Sequence, residues 1–525
     1  MLLTEIAETS TRVAATSARL GKIDHLASCL RRLEPHEVDA AVAFLSGELR
    51  QRQIGVGYAT LREVPRPAVS PSLTVTAVDS AFEEIGRQAG TGSLGERRRL
   101  LTELFDRATA PEQRFLVRLL TGELRQGALD GVMVEAIARA AEVAGAQVRR
   151  ALMLSGSLGA VATAALAEGT AGLAAFRLRI GNPLRPMLAQ SAESVDAALA
   201  RISPPAVEWK LDGIRVQVHR LEDTGGGSKG QGGGKDAVRV FTRTLDDITS
   251  RVPEVVEATM TLPVRTVVLD GEVIALRPDG RPQPFQATAA RTGSRLEVET
   301  LRAATPLTLF LFDVLHLDGE DLIDRPGAER GDALARIAPP SLRMPRTVTS
   351  DPGDAAEVLR GALEQGHEGV VVKSLDAPYE AGRRGSGWIK VKPRHTLDLV
   401  VLAAEWGHGR RRGWLSNLHL GARDAEGGGF VMLGKTFKGL TDQMLRWQTE
   451  KFQELKVSQD SWVVHVRPEL VVEIAFDGVQ RSPRYPAGLA LRFARVLRYR
   501  PDKRPDEADT IEAVQAIYAA GLGSA

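Results

Sequence analysis

The chain has 525 residues, with 68 Lys+Arg against 66 Asp+Glu and 43% hydrophobic content. That length predicts about three domains, and a net charge of only +2 excludes a uniformly basic protein, so any DNA surface must come from local clusters of Arg and Lys. Cys29 is the only cysteine, which rules out an intramolecular disulfide and a cysteine-rich zinc site and fits a reducing cytoplasm. No apolar run approaches the ~20 residues that span a membrane, and the N-terminus, with Glu5 and Glu8, does not read as a signal peptide.

Residues 1–180 are expected to form a helical domain, because apolar residues recur at three- and four-residue spacing, as in Val38, Ala41, Val42, Leu45 and Leu49. A weak repeat lies within it. Phe44–Gln51 resembles Leu119–Gln126, and glycine-containing turns come next, at Gly55 and Gly57 and at Gly127 and Gly131. Helix, glycine turn, helix either offers backbone N–H groups to phosphates or serves packing alone. Asn182–Leu188 is punctuated by prolines and expected to be extended, which marks a domain boundary.

Residues 181–393 mix short strands and helices. Ile214, Val216 and Val218 fall on one strand face, and Arg215, Gln217 and His219 on the other. Thr224–Lys235 holds seven glycines and reads as a flexible hairpin tip rather than a phosphate loop. A second boundary is expected near residues 393–412. Residues 394–525 then carry strand-like stretches at Leu415–Leu420, Phe430–Gly434, Trp462–Val466, Leu470–Phe476 and Leu489–Arg498, with a helix from Thr441 to Phe452 among them. Five strands and one helix predict a small barrel such as an OB-fold. Thr510–Ala520 reads as a short helix before a Gly/Ser tail.

The chemistry centres on Lys210-Leu211-Asp212-Gly213-Ile214-Arg215, a lysine at a strand-to-turn junction. An amine must lose its proton to act as a nucleophile, and nearby cations favour that loss. Lys390 and Lys392, two apart and so on one face of a strand, are expected to depress the pKa of Lys210 and to hold phosphate oxygens. Asp270 and Glu272 also share a face, and two acids on an apolar strand call for a ribose, an arginine or a metal. Phe312 stands on an apolar strand and offers a ring for a base. Glu368 precedes another such strand, where a carboxylate suits Mg²⁺. Regular alternation sends Glu368 and Lys373 to opposite faces, so both are not expected at one ligand.

Singly, each of these stretches also fits an ordinary surface turn or core strand. In order, they resemble the covalent nucleotidyltransferase superfamily, and within it the ATP-dependent DNA ligases of bacterial three-domain type. Lys210–Arg215 resembles the family's KxDGxR motif. Thr242-Arg243, Asp270–Glu272, Leu311–Leu315, Glu368–Lys373 and Lys390–Lys392 come after it as the later motifs, and Arg500–Lys503 resembles RxDK at the end of the OB domain. The resemblance covers nearly the whole chain. It implies an all-α DNA-binding domain, an α+β core with ATP-grasp-like antiparallel sheets, and an OB-fold barrel. Lys210 would carry AMP from ATP. Glu208 would accept from the adenine amino group, and Phe312 would stack on the ring. Arg215 and Glu272 would contact the ribose, Arg243 a phosphate, and Lys390 and Lys392 the α-phosphate. Arg500 and Lys503 would orient the departing pyrophosphate. Glu272 and Glu368 would hold Mg²⁺, with Mn²⁺ able to substitute. The expected substrate is nicked duplex DNA, bound by a cytoplasmic, monomeric enzyme with no membrane contact. An RNA ligase or capping guanylyltransferase would usually lack the helical region. A non-catalytic clamp would not need the intact lysines and acids, and NAD⁺-dependent ligases carry a four-cysteine zinc module that one cysteine cannot build.

Overall fold

The computed structural model describes all residues except 52–53, 62–63, 91, 125, 127–129, 223–236, 295–296, 381–383, 394, 409–410 and 523–525. The glycine-rich insert, Arg125 and Gly127 of the repeat, and the chain's last residues therefore lie outside the described residues.

From Leu3 to Ala174 the regular elements are helical. Their apolar faces close over one core that includes Leu26, Phe44, Phe82, Phe105, Ile137 and Val161. The two repeat copies end the helices Val38–Ser46 and Ala110–Leu120. Their surroundings then differ. A short 3-10 turn, Tyr58–Leu61, comes after the first copy, and the helix after the second begins at Asp130, whose carboxylate is ion-paired with Arg185. The two copies thus lead into different elements.

Two five-stranded sheets form the core. The first is built from β1 (Leu188–Ala192), β2 (Pro205–Lys210), β8 (Arg346–Val348), β9 (Gly369–Ser374) and β10 (Arg384–Val391), in the order β1-β10-β9-β2-β8. The second is built from β3 (Ile214–Arg220), β4 (Val238–Thr242), β5 (Val267–Ala275), β6 (Leu307–Leu317) and β7 (Glu320–Asp321), in the order β4-β3-β5-β6-β7. Pairing is antiparallel throughout, except that β1 runs parallel to β10. Alternation along β3 explains the division of labour. Val216 and Val218 are fully buried in one apolar core, while Arg215, Gln217 and His219 face polar partners.

The C-terminal β-rich domain, of OB type, opens with a strand that was not expected. Residues 393–412, read as a boundary, include the long strand β11 (His395–Trp406). Apart from Asp398, its run Leu397–Ala404 is apolar on both faces, so it shows no period of two. β11 pairs with β12 (Leu415–Arg423) on one side; on the other it pairs first with β16 (Val471–Phe476), then with β15 (Val463–Val466). β13 (Phe430–Thr436) and β14 (Lys456–Gln459) extend the sheet. The helix Asp442–Glu454 packs on it through Leu445 and Phe452. The stretch expected as one strand over 489–498 divides at Phe493, whose φ is +55°, into β18 (Leu489–Arg492) and β19 (Arg495–Tyr499). β17 (Gly478–Arg481) pairs with β18 as a separate ribbon.

Candidate active site

Lys210 is the last residue of β2, and β3 starts after the turn Leu211–Gly213. That turn runs against β5. A Cβ on Gly213 would stand 2.5 Å from the Val273 carbonyl oxygen and 2.8 Å from Glu272 Cγ, so only glycine lets the turn sit there. Lys210 thereby enters a cavity of about 1060 Å³ between the two sheets. Glu208, Lys210, Lys373 and Lys390 line it from the first sheet, Arg215, Glu272 and Phe312 from the second, and Glu368 from the residue before β9.

The Lys210 ammonium is ion-paired with Glu368, whose backbone N–H also donates to the Lys210 carbonyl at 3.0 Å. Burial pulls the amine down. The Glu368 carboxylate, with Glu272 and Asp212 nearby, outweighs burial and holds Lys210 above the ordinary lysine value. The expected depression by Lys390 and Lys392 is therefore not what this state displays. Lys390 lines the cavity. Lys392 instead ion-pairs with Asp477 and stands 3.9 Å from Glu368. Burial pushes Glu272 up to about 7, against the opposing pull of Lys210 and Arg215.

Glu368 and Lys373 both face this cavity, contrary to regular alternation. The strand starts at Gly369 with φ +143°, where a Cβ would meet the Val391 carbonyl oxygen at 2.3 Å, so Glu368 stands before the regular pleat. Lys373 reaches Glu208 at 2.5 Å, and Arg346 lies 3.8 Å from the same carboxylate. The Lys373 ammonium stands 4.4 Å from the ring centroids of both Phe312 and Trp388, which meet edge to face. Phe312 and Glu208 thus line one stretch of the cavity, an aromatic ring beside a carboxylate acceptor.

Arg215 is more committed than expected. Four of its contacts go to Asp270 (3.0 and 2.5 Å), the Met187 carbonyl (2.6 Å) and the Tyr379 hydroxyl (3.1 Å), leaving one of its five N–H groups for a ribose. Arg243 lines the main cavity and also a neighbouring one of about 760 Å³ that runs to Glu48 and Gly122 of the helical repeat. Arg500 and Lys503 are absent from the cavity lining. Both bind Asp398, at 2.8 and 2.7 Å, within the C-terminal domain. Their place is taken by Arg492, which binds Asp212 at 2.8 Å, and by Phe493, which is 62% exposed.

Sequence reasoning missed Arg346, Trp388, Asp477, Arg492 and Phe493. For Trp388 a signal was present, since the alternation that pairs Lys390 with Lys392 puts Trp388 on the same face. The others are joined to the site only by long-range packing.

A lysine on a tight turn inside a two-sheet cleft, with a β-rich domain at the cleft's mouth, defines a nucleotidyltransferase core. Residues 186–392 match the family described as the ATP dependent DNA ligase domain; 411–503 match its C terminal region, and 62–138 match the DNA ligase N terminus. A probable DNA ligase of Anaeromyxobacter sp. (strain Fw109-5) is 59% identical, covering 99% of this chain and 98% of that protein. One of Mycobacterium marinum is 58% identical, covering 99% and 100%. The solved structure named Pmar-Lig_PreS3 shares the fold with a TM-score of 0.61 at 19% identity, covering 94% of this chain and 99% of its own. The chain belongs to the ATP-dependent DNA ligases, enzymes that join 5′-phosphate and 3′-hydroxyl ends at nicks in duplex DNA.

Proposed function

We propose that Lys210 is the residue this ligase adenylylates. The observation that carries the assignment is its position at the β2–β3 turn, inside the cleft and against Glu368. Its Nζ, once deprotonated, attacks the α-phosphorus of ATP; a P–N bond forms as the bond to the pyrophosphate oxygen breaks. Glu208 accepts from the adenine amino group, and Phe312 stacks on the ring. Glu272 and the remaining N–H of Arg215 address the ribose, and Lys390 the α-phosphate, with Lys392 joining it when released from Asp477. Arg243, where the two cavities meet, is suited to the 5′-phosphate of the nick. AMP then passes from Lys210 to that phosphate, and the 3′-hydroxyl displaces it.

Glu272 and Glu368 would hold Mg²⁺, or Mn²⁺ in its place. Among the described residues no cluster of three or more His, Cys, Asp or Glu is set to enclose a metal, which suits a hard ion that keeps water and takes one or two carboxylates beside phosphates. Bound there it would offset charge on the phosphate oxygens. Glu272, half-buried and pushed up to about 7, would be favoured in its charged form by a further cation.

Pyrophosphate coordination by Arg500 and Lys503 requires the C-terminal domain to present another face. The domains are taken as 1–180, 181–393 and 394–525, in a monomer acting on nicked DNA in the cytoplasm. No helix among the described residues is long and apolar enough to cross a membrane. The test is incubation with ATP labelled at the α-phosphate. Wild type should retain label covalently and Lys210→Ala should not; label retained by Lys210→Ala would overturn the assignment.

A further inference from the structure

Asp477 comes directly after β16, at the face that the C-terminal domain turns toward the core. Its carboxylate engages Lys392, and the pair is about three-quarters buried. Lys392 in turn stands 3.9 Å from Glu368, and Glu368 holds Lys210. A line of alternating charge thus runs from the C-terminal domain to the nucleophile. Beside it runs a second contact of opposite polarity, Arg492 to Asp212 at 2.8 Å. The two are mechanically one unit, because the Asp477 backbone N–H donates to the Arg492 carbonyl at 2.9 Å.

This arrangement has an asymmetry. Lys390 lies in β10 and Lys392 is the first residue after it; Lys390 lines the nucleotide cavity and Lys392 does not. An ammonium in direct contact with one carboxylate cannot at the same time give its full charge to a phosphate oxygen, and a fixed anion beside the lysine also disfavours a triphosphate there. The same docked face leaves Arg500 and Lys503 on Asp398, away from where pyrophosphate would depart.

We propose that Asp477 is a positioning residue that withdraws Lys392 from the nucleotide phosphate while the C-terminal domain is docked, so that docking itself disfavours AMP loading and reserves the cleft for the DNA steps. This rests on the roles assigned above to Lys210 and Lys392. Asp477 belongs to the domain that moves and Lys392 to the end of the core. The contact therefore exists only in the docked arrangement, and its loss acts in opposite directions on the two half-reactions.

The experiment uses the full-length enzyme and two single-turnover assays: transfer of labelled AMP from ATP to the protein, and sealing of a pre-adenylylated nicked duplex without ATP. In Asp477→Asn, which preserves shape, AMP loading should rise about fivefold with a lower KM for ATP, and sealing should fall about fivefold. Asp477→Glu should return both toward wild type. Gln480→Ala removes a neutral contact at the same interface, the 3.0 Å bond from Gln286, and should leave loading unchanged. Loading that falls or stays level in Asp477→Asn overturns the proposal. So does an equal rise in Gln480→Ala, since any loosening would then suffice. Failure of the underlying assignment is separately visible, as wild type that takes no label or Lys210→Ala that does.

Discussion

Glu208 is 3% exposed and pinned by Lys373 at 2.5 Å, and as a carboxylate it can only accept hydrogen bonds. An adenine amino group can donate to such a carboxylate, whereas guanine presents a carbonyl oxygen at the same edge. Glu208→Gln supplies a donor and should narrow the preference for ATP over GTP by about tenfold, read as the ratio of kcat/KM for self-labelling with the two nucleotides. An unchanged ratio would place base selection elsewhere. His219 is a structural counterpart. Fully buried, it accepts the Gly181 N–H at 2.9 Å and bonds Gln217 at 2.8 Å. Burial, with His316 nearby, pulls it down to about 3. The folded ring stays neutral while the unfolded one takes a proton near 6.5, so stability should be level above that pH and fall as pH drops from about 6.5 toward 3. Tm measured across that range should show this fall, and His219→Gln should flatten it. At this scale alternation made Lys390 legible, and the same period carried an unread signal for Trp388. It misled at Glu368, because Gly369 breaks the pleat that the alternation assumes.

The elements that hold the site show how strictly backbone placement fixes chemistry. Gly213 lies so close to β5 that any side chain must push the turn off Val273. Lys210 and Asp212 would move with it, and displacement of a nucleophile by about 1 Å costs on the order of a hundredfold in rate. Gly213→Ala should therefore cut self-adenylylation by about that factor while the protein remains folded by circular dichroism; a loss under threefold would show that the turn can yield. β2, β3, β5 and β9 were readable because each has one polar and one apolar face, or a motif at its end. β11 was not, since Leu397–Ala404 is buried on both sides and carries no alternation. The helical repeat was visible as letters, but its two copies lead into different elements, and only packing determines that.

At the scale of the whole molecule, charged pairs join the C-terminal domain to the core. Arg492–Asp212 and Lys392–Asp477 are both between a fifth and a third exposed, so salt reaches them. Raising salt from about 0.05 to 0.5 M should enlarge the radius of gyration measured by small-angle X-ray scattering, and Arg492→Ala should do the same at low salt. A radius insensitive to both would mean that apolar contacts hold the domain. The helical region is joined differently. Met153 and Leu154 are buried in one cluster with Leu184, Met187, Tyr379 and Trp388, so its packing continues into the wall of the nucleotide cleft.

β10 ends at Val391 and β11 begins at His395, so the connector from the core to the C-terminal domain opens with Lys392 and Pro393. Pro393 locks one torsion of that connector. Lys392 is its first residue, which makes the pivot and a charged working part the same amino acid. Twisting the backbone there would re-aim the ammonium, so the domain movement proposed above would carry that charge with it.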